Sequence, residues 1–167
     1  SKEDAEKNML ELFDVEITKH VNYKNYVAKN PVIDDRIILN GNRLFFIEPL
    51  ESSSTQTYIE IPKYISRYGD VRDLSYAVKE YIKYTQNFIL WHYQFGSKYD
   101  TPFWKYAKTL PFMPDVQFNN MIETSKKMSY IEMENEWQHD ANANNYGQWT
   151  FSSFRCWVDG TKIEKTA

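Results

Sequence analysis

The longest regular alternation of apolar and polar positions runs over residues 74–92. Leu74, Ala77, Val78, Tyr81, Ile82, Thr85, Phe88, Ile89 and His92 recur at intervals of three and four, the repeat of one helix face. Asp70 precedes this run, Asp73 lies in its first turn and Gly96 follows Phe95. The pattern therefore predicts a helix opened by Asp70 and stopped at Gly96. Upstream, Tyr58, Ile61, Ile65 and Tyr68 predict a helix that begins near Ser53 and ends at Gly69. Pro62 lies within it, where it is expected to kink or divide the helix. Thr101-Pro102 marks a further start, with Thr as N-cap and Pro in the first turn, and Phe103, Trp104, Tyr106 and Ala107 follow. Pro111 and Pro114 separate that helix from another helical pattern over about 118–128.

Both ends of the chain read less regularly. Ser1-Lys2-Glu3-Asp4 suits a helix start, and Ala5, Met9, Leu10 and Phe13 fall on one face, predicting a short amphipathic helix. Residues 15–23 are rich in β-branched and aromatic side chains and predict a strand. Asn30-Pro31 breaks the chain. Arg36-Ile37-Ile38-Leu39 reads as a buried strand closed by a turn at Asn40-Gly41-Asn42. In the tail, residues 140–148 are polar and Asn-rich, which predicts a loop, and 149–158 alternate aromatic and small residues without a clear period. There is no internal repeat. The fold class expected is mainly α with a few short strands near the N-terminus.

Composition adds two things. Apolar residues make up 42% of the 167-residue chain, enough for one folded domain or a large piece of one. Aromatic residues make up 17%, which fits either an aromatic-rich core or a pocket for a flat, apolar ligand. The net charge of −3, with basic residues scattered, argues against nucleic acid as a partner. No apolar run is long enough to span a membrane and no secretory signal is evident, so a cytoplasmic location is expected. The chain begins at Ser1 without a methionine, which fits either a fragment of a longer protein or removal of an initial Met before Ser.

Several chemistries lack the residues they need. Cys156 is the single cysteine, so neither a disulfide within the chain nor a cysteine metal site is available. His20, His92 and His139 show no ligand spacing, and no metal is expected. There is no Gly-x-Ser-x-Gly, no P-loop and no Gly-x-Gly-x-x-Gly; five glycines do not build a dinucleotide cradle. Carboxylates and aromatics remain. Phe46-Ile47-Glu48-Pro49-Leu50-Glu51-Ser52-Ser53-Ser54 sets two carboxylates and three hydroxyls beside a predicted helix start, whose free N–H groups attract an anion. Plain helix capping would use the same residues. His92, Tyr93, Tyr99, Phe103 and Trp104 gather around a helix end and a new helix start, either as a cavity wall or as a satellite of the core.

Taken together, these two constellations resemble the flavin-dependent tryptophan halogenases. Ile38-Leu39-Asn40-Gly41-Asn42 followed by Phe46-Ile47-Glu48-Pro49-Leu50-Glu51-Ser52 is similar to the family's Gly-Asn/Asp-Ala-Ala-Gly-Phe-Ile-Glu-Pro-Leu-Glu-Ser-Thr-Gly. His92-Tyr93 and then Asp100-Thr101-Pro102-Phe103-Trp104-Lys105 resemble its His-Tyr and Asp-Thr-Pro-Phe/Tyr-Trp-Arg segment, and the resemblance covers about residues 1–110. It implies an enzyme that uses reduced FAD and oxygen to oxidise halide to hypohalous acid, which then halogenates an aromatic ring. Glu51 matches the family's catalytic glutamate. Ser53 and Ser54 match the residues whose backbone N–H groups meet the halide, and Gly41 and Asn42 match positions beside the flavin. His92, Tyr93, Tyr99, Phe103 and Trp104 would contact substrate.

The resemblance also implies what the chain lacks. The family's flavin-binding motif, its Trp-x-Trp-x-Ile-Pro motif and its catalytic lysine belong to an N-terminal half that this sequence does not contain. Residues 1–53 would then be the edge of the FAD-binding module, and 54–167 a helical substrate-binding region, in an α+β FAD-dependent halogenase or monooxygenase fold. The expected partners are that N-terminal half, a separate flavin reductase and a small aromatic substrate. The 167-residue chain alone is expected to be inactive. Three positions depart from the family pattern. Ser54 replaces a Gly, Arg43-Leu44-Phe45 replaces Ala-Ala-Gly, and Tyr99 stands where tryptophan-specific members carry a Glu that binds the amino acid's polar end. Tyr99 implies an aromatic or indole-like substrate other than free tryptophan. Two alternatives share the same residues: a non-catalytic aromatic-ligand module, or a flavin monooxygenase relative without halide chemistry.

Overall fold

The computed structural model describes residues 2–21, 24–47, 53–96, 99–139 and 146–161, with backbone alone for 136–139. Its organising element is α3 (Val71–Phe95). Asp70 caps it in extended conformation, its carboxylate accepting from the Arg72 and Asp73 N–H groups. At the other end Gly96 closes the helix with right-handed dihedrals. A side chain there would run into the Trp157 ring and the His92 carbonyl, so glycine is required for close approach and not for an unusual φ.

Two hydrophobic clusters lie along α3. Toward its N-terminal half, Leu74, Val78, Tyr81 and Ile82 pack with Leu44, Phe45 and Ile61. Toward its C-terminal half, Phe88 and Trp91 pack with Phe118, Met121, Tyr146, Trp149, Phe154 and Val158. Around α3 are α2 (Ser53–Arg67), α4 (Pro102–Thr109), α5 (Val116–Lys127), α6 (Tyr130–His139) and α7 (Phe151–Thr161). Asp115 caps α5 through the Phe118 N–H, and Ser129 and Glu132 form a reciprocal box at the start of α6. Arg155 on α7 donates to the Ser125 and Lys126 carbonyls, satisfying the C-terminal end of α5.

Before α2 the structure is thin. The helix α1 (Lys2–Phe13) buries none of its residues, and Met9, Leu10 and Phe13, the predicted apolar face, are exposed. Two small antiparallel pairs follow: β1 (Tyr26–Val27) with β4 (Phe45–Phe46), and β2 (Val32–Ile33) with β3 (Ile37–Ile38). Asp34 and Asp35 both have positive φ, and the Arg36 N–H donates to the Ile33 carbonyl. The β2–β3 connection is thus a tight turn of the mirror-image type that suits hairpins.

Three expectations are corrected. Residues 15–21 form no strand: Val15 and Val21 are exposed, and no neighbouring strand is offered to them among the described residues. The strand at Ile37–Ile38 is not buried, because a two-stranded hairpin covers neither face of Ile37; only Ile38 and Leu39 reach the cluster below. Pro62 does not divide α2, which runs unbroken through it. Thr57 and Ile61 are buried on the core side while Pro62 stays exposed, so packing offsets the lost backbone bond. The tail, unreadable from its pattern, contains α6 and α7, and residues 140–145 lie outside the described residues.

Candidate functional site

Two places gather the residues singled out in the sequence. The first is the junction between the 3₁₀ turn Gly41–Arg43 and the start of α2. The Asn40 carboxamide oxygen accepts from the Gly41 N–H at 2.7 Å and lies 2.6 Å from the Thr57 hydroxyl. That hydroxyl also accepts from the Gly41 N–H at 2.8 Å and lies 2.6 Å from the Ser54 carbonyl. The Ser54 hydroxyl donates to Asn42 Oδ1 at 2.6 Å. Asn40, Gly41, Asn42, Ser54 and Thr57 therefore form one polar clasp that fixes the first turn of α2 against the turn before the signature loop. Gly41 has φ +54, and the Tyr58 ring occupies the space a side chain would need. Both constraints select glycine.

Ser53 begins α2, is 1% exposed, and its hydroxyl has no hydrogen-bond partner among the described residues. A buried hydroxyl left without a partner costs free energy, of order 1–3 kcal/mol. It sits where the first N–H groups of a helix lack intrahelical acceptors. A small anion would satisfy both. Glu48 and Glu51, the candidate carboxylates, lie outside the described residues.

The second place is a trough of about 460 Å³ between α3 and α4. One wall is Gln86, Ile89, Leu90 and Tyr93 from α3, and the other is Phe103, Tyr106, Ala107 and Leu110 from α4 and its end. Each set repeats at three, four and seven residues, so each is one helix face. Asn25 and Ile47 close it. Ile89 and Ala107 are buried at its floor. The Gln94 side-chain amide donates to the Leu110 carbonyl and ties the end of α4 to α3.

The five aromatic candidates separate. Tyr93, Phe103 and Trp104 pack against one another, Phe103 edge-to-face with both of the others, with ring centroids 5.0–6.0 Å apart, and Tyr93 and Phe103 line the trough. Tyr99 is 72% exposed and does not line it. His92 turns the other way, into the aromatic cluster. Its Nδ1 lies 2.7 Å from the Phe88 carbonyl, and its ring sits 3.8 Å from that of Trp157. Sequence reasoning did not single out Asn40 and Thr57 in the clasp, or Asn25, Gln86, Tyr106 and Leu110 in the trough. The 86, 89, 90, 93 repeat was visible. Reading it required knowing that α4 presents a matching face.

Other chemistries find little here. Among the described residues, no group of His, Cys, Asp and Glu is placed to hold a metal, and no helix is long and apolar enough to cross a membrane. The described residues also make no flavin cradle: the side-chain approach to Gly41 is filled by Tyr58, and the Asn42 carboxamide oxygen is engaged by Ser54.

No curated protein gives a significant match to the chain. Compared with protein families, however, residues 1–156 match the tryptophan halogenase family, a span that includes the clasp, the signature loop and the trough. The chain therefore belongs to the tryptophan halogenase family.

Proposed function

We propose that this chain is the C-terminal, substrate-binding part of a flavin-dependent halogenase acting on an aromatic or indole-like compound. The observation that carries the reading is the family match over residues 1–156, together with the clasp that fixes the start of α2 directly after the signature loop. The backbone N–H groups of Ser53 and Ser54 are the candidates for holding halide, and the buried Ser53 hydroxyl, without a partner among the described residues, supports an anion there. Halide is a reactant in this scheme. Because the residues here do not fit FAD by themselves, the cofactor belongs to a flavin-binding module elsewhere in the protein, supplied with reduced flavin by a separate reductase.

Glu51 takes the chemical role. Halogenation by hypohalous acid adds a halogen to a ring carbon and leaves that carbon with one proton too many. A carboxylate beside it stabilises the cationic ring and accepts the proton, so the products are the aryl halide and water. In the protein joined to its flavin module, Glu51→Gln is expected to lower turnover by at least about 100-fold, the usual scale of a lost acid–base group, with flavin binding retained. Unchanged turnover would remove Glu51 from the mechanism.

A second reading has one observation in its favour. Both described walls of the trough come from this chain's own helices α3 and α4, as a non-catalytic aromatic-ligand module would require. Absorbance titration of the 167-residue chain with FAD is expected to show no stoichiometric complex under either reading. Halogenated product from the protein carrying its flavin module supports the enzyme; ligand binding without product supports the module.

A further inference from the structure

A second hollow, of about 440 Å³, lies between the end of α2 and the first half of α3 and shares no lining residue with the trough. Tyr64, Arg67 and Tyr68 line one side, and Asp73, Tyr76, Glu80, Tyr81 and Tyr84 the other. All belong to the continuous described stretch 53–96. Asp73, Tyr76, Glu80 and Tyr84 recur at three and four residues, so they share one face of α3. Five of the chain's 13 tyrosines gather here, and Ala77 is the only aliphatic residue of the lining, so phenol rings make most of its surface. The rings are steeply inclined: Tyr64 meets Tyr68 at 60° and Tyr81 at 75°, with centroids 6.1 Å apart in both pairs. Rings set at such angles wall a concavity, as a parallel stack would not.

The charges of the lining have a sign. Asp73 and Glu80 stand against one guanidinium, that of Arg67. Asp73 makes no ion pair among the described residues, and Glu80 shares the Lys83 ammonium with Asp115, at 3.2 and 3.3 Å. Residues 140–145, which lead to Gly147 beside Tyr84, contain no Lys or Arg, and their single charge is that of Asp140. The chain itself sets a cation against one of these rings, with Lys83 Nζ 5.5 Å from the Tyr84 ring centroid. Aromatic faces carry the negative part of the ring quadrupole and attract cations. An anion would meet those faces and two carboxylates. We infer that this hollow binds an organic cation, a methylated or alkylated ammonium, with its charged head on the tyrosine faces beside Asp73 and Glu80. The site is separate from the trough and does not depend on the halogenase reading.

An isosteric pair tests it. Choline and 3,3-dimethylbutan-1-ol have the same shape and differ by a quaternary nitrogen in place of a carbon. Titrating the 167-residue chain with each at low ionic strength, followed by amide NMR shifts, separates charge from contact area. Choline is expected to bind at least about tenfold more tightly, a difference of about 1.4 kcal/mol, and to shift amides in residues 64–84. Equal or tighter binding of the alcohol overturns the inference, as does no choline binding or binding that shifts amides only elsewhere. Tyr76 is 67% exposed, so Tyr76→Ala is expected to weaken choline about fivefold with little change in melting temperature. Arg67→Gln removes the opposing charge and is expected to tighten choline about threefold. Wild-type affinity in Tyr76→Ala, or weaker binding in Arg67→Gln, overturns the assignment. No flavin, oxygen or halide enters these titrations, so their outcome is independent of whether the protein halogenates.

Discussion

The two hydrophobic clusters along α3 differ in make-up and in what surrounds them. The C-terminal one is almost wholly aromatic: Phe88 stacks on Trp149 at 4.1 Å, and Trp91 contacts Phe118, Phe154 and Trp157. It draws His92 inward, against Phe88 and Trp157. The N-terminal cluster is mainly aliphatic and adjoins both the clasp, through Ile61, and the trough, through Ile47. Half of the chain's aromatic residues therefore pack in or against these two clusters. The trough adjoins the cluster with fewer rings, and Tyr93, Phe103 and Tyr106 are the aromatics its described lining presents to a ligand.

The largest expected effect that tests this contrast is Trp91→Ala. Trp91 is fully buried among other rings, so its removal should cost about 3–5 kcal/mol in urea unfolding while leaving the trough walls in place. Ile61→Ala should cost about 2–5 kcal/mol, nearer the lower end because half-buried neighbours such as Tyr64 and Leu39 have room to close in. Unlike Trp91→Ala, it should also increase hydrogen exchange at the start of α2. A Trp91→Ala variant of wild-type stability would break the comparison.

Gly41→Ala comes next. The positive φ and the Tyr58 ring oppose a side chain, so a loss of about 1–3 kcal/mol is expected by thermal unfolding. The double variant Gly41→Ala/Tyr58→Ala should recover the part due to the ring and keep the part due to φ.

Smaller effects concern titration. Burial, and secondarily the Glu60 charge, push the Tyr64 phenol up to about 12. A phenol held neutral in the fold stabilises fully below its ordinary pKa of about 10, and that contribution disappears as pH rises through about 12. Wild-type stability should fall more steeply than that of Tyr64→Phe across this window. Asp70 gives the opposite sign. The Arg72 and Asp73 N–H groups hold its carboxyl below the ordinary range, so its contribution exists above about pH 4 and is lost as pH falls through the lowered value. Asp70→Ala should lower the melting temperature at neutral pH, and the gap should close in acid.

Local signals were legible wherever one element decided the outcome. Asp70, Gly96 and the periodic face between them defined α3, and Thr101-Pro102 defined the start of α4. The sequence did not reveal outcomes that depend on a partner. Residues 15–21 have strand composition but no strand beside them, and Ile37 has strand residues around it but no layer above it. α7 was hidden because Phe154 and Val158 bury against α3 and α5 while the residues between them are mixed. Within the candidate site, Ser53, Ser54, Gly41 and Asn42 were singled out one by one. The union of Ser54, Gly41 and Asn42 with Asn40 and Thr57 is a tertiary contact across 12 to 17 residues.

The most direct measurement of the central claim is mass spectrometry of indole-3-acetamide incubated with bromide, oxygen, reduced FAD and the protein joined to its flavin module. The account predicts a monobrominated product from the wild type and nearly none from Glu51→Gln at equal flavin occupancy. Bromination by Glu51→Gln at the wild-type rate, or no brominated product from the wild type, would contradict it.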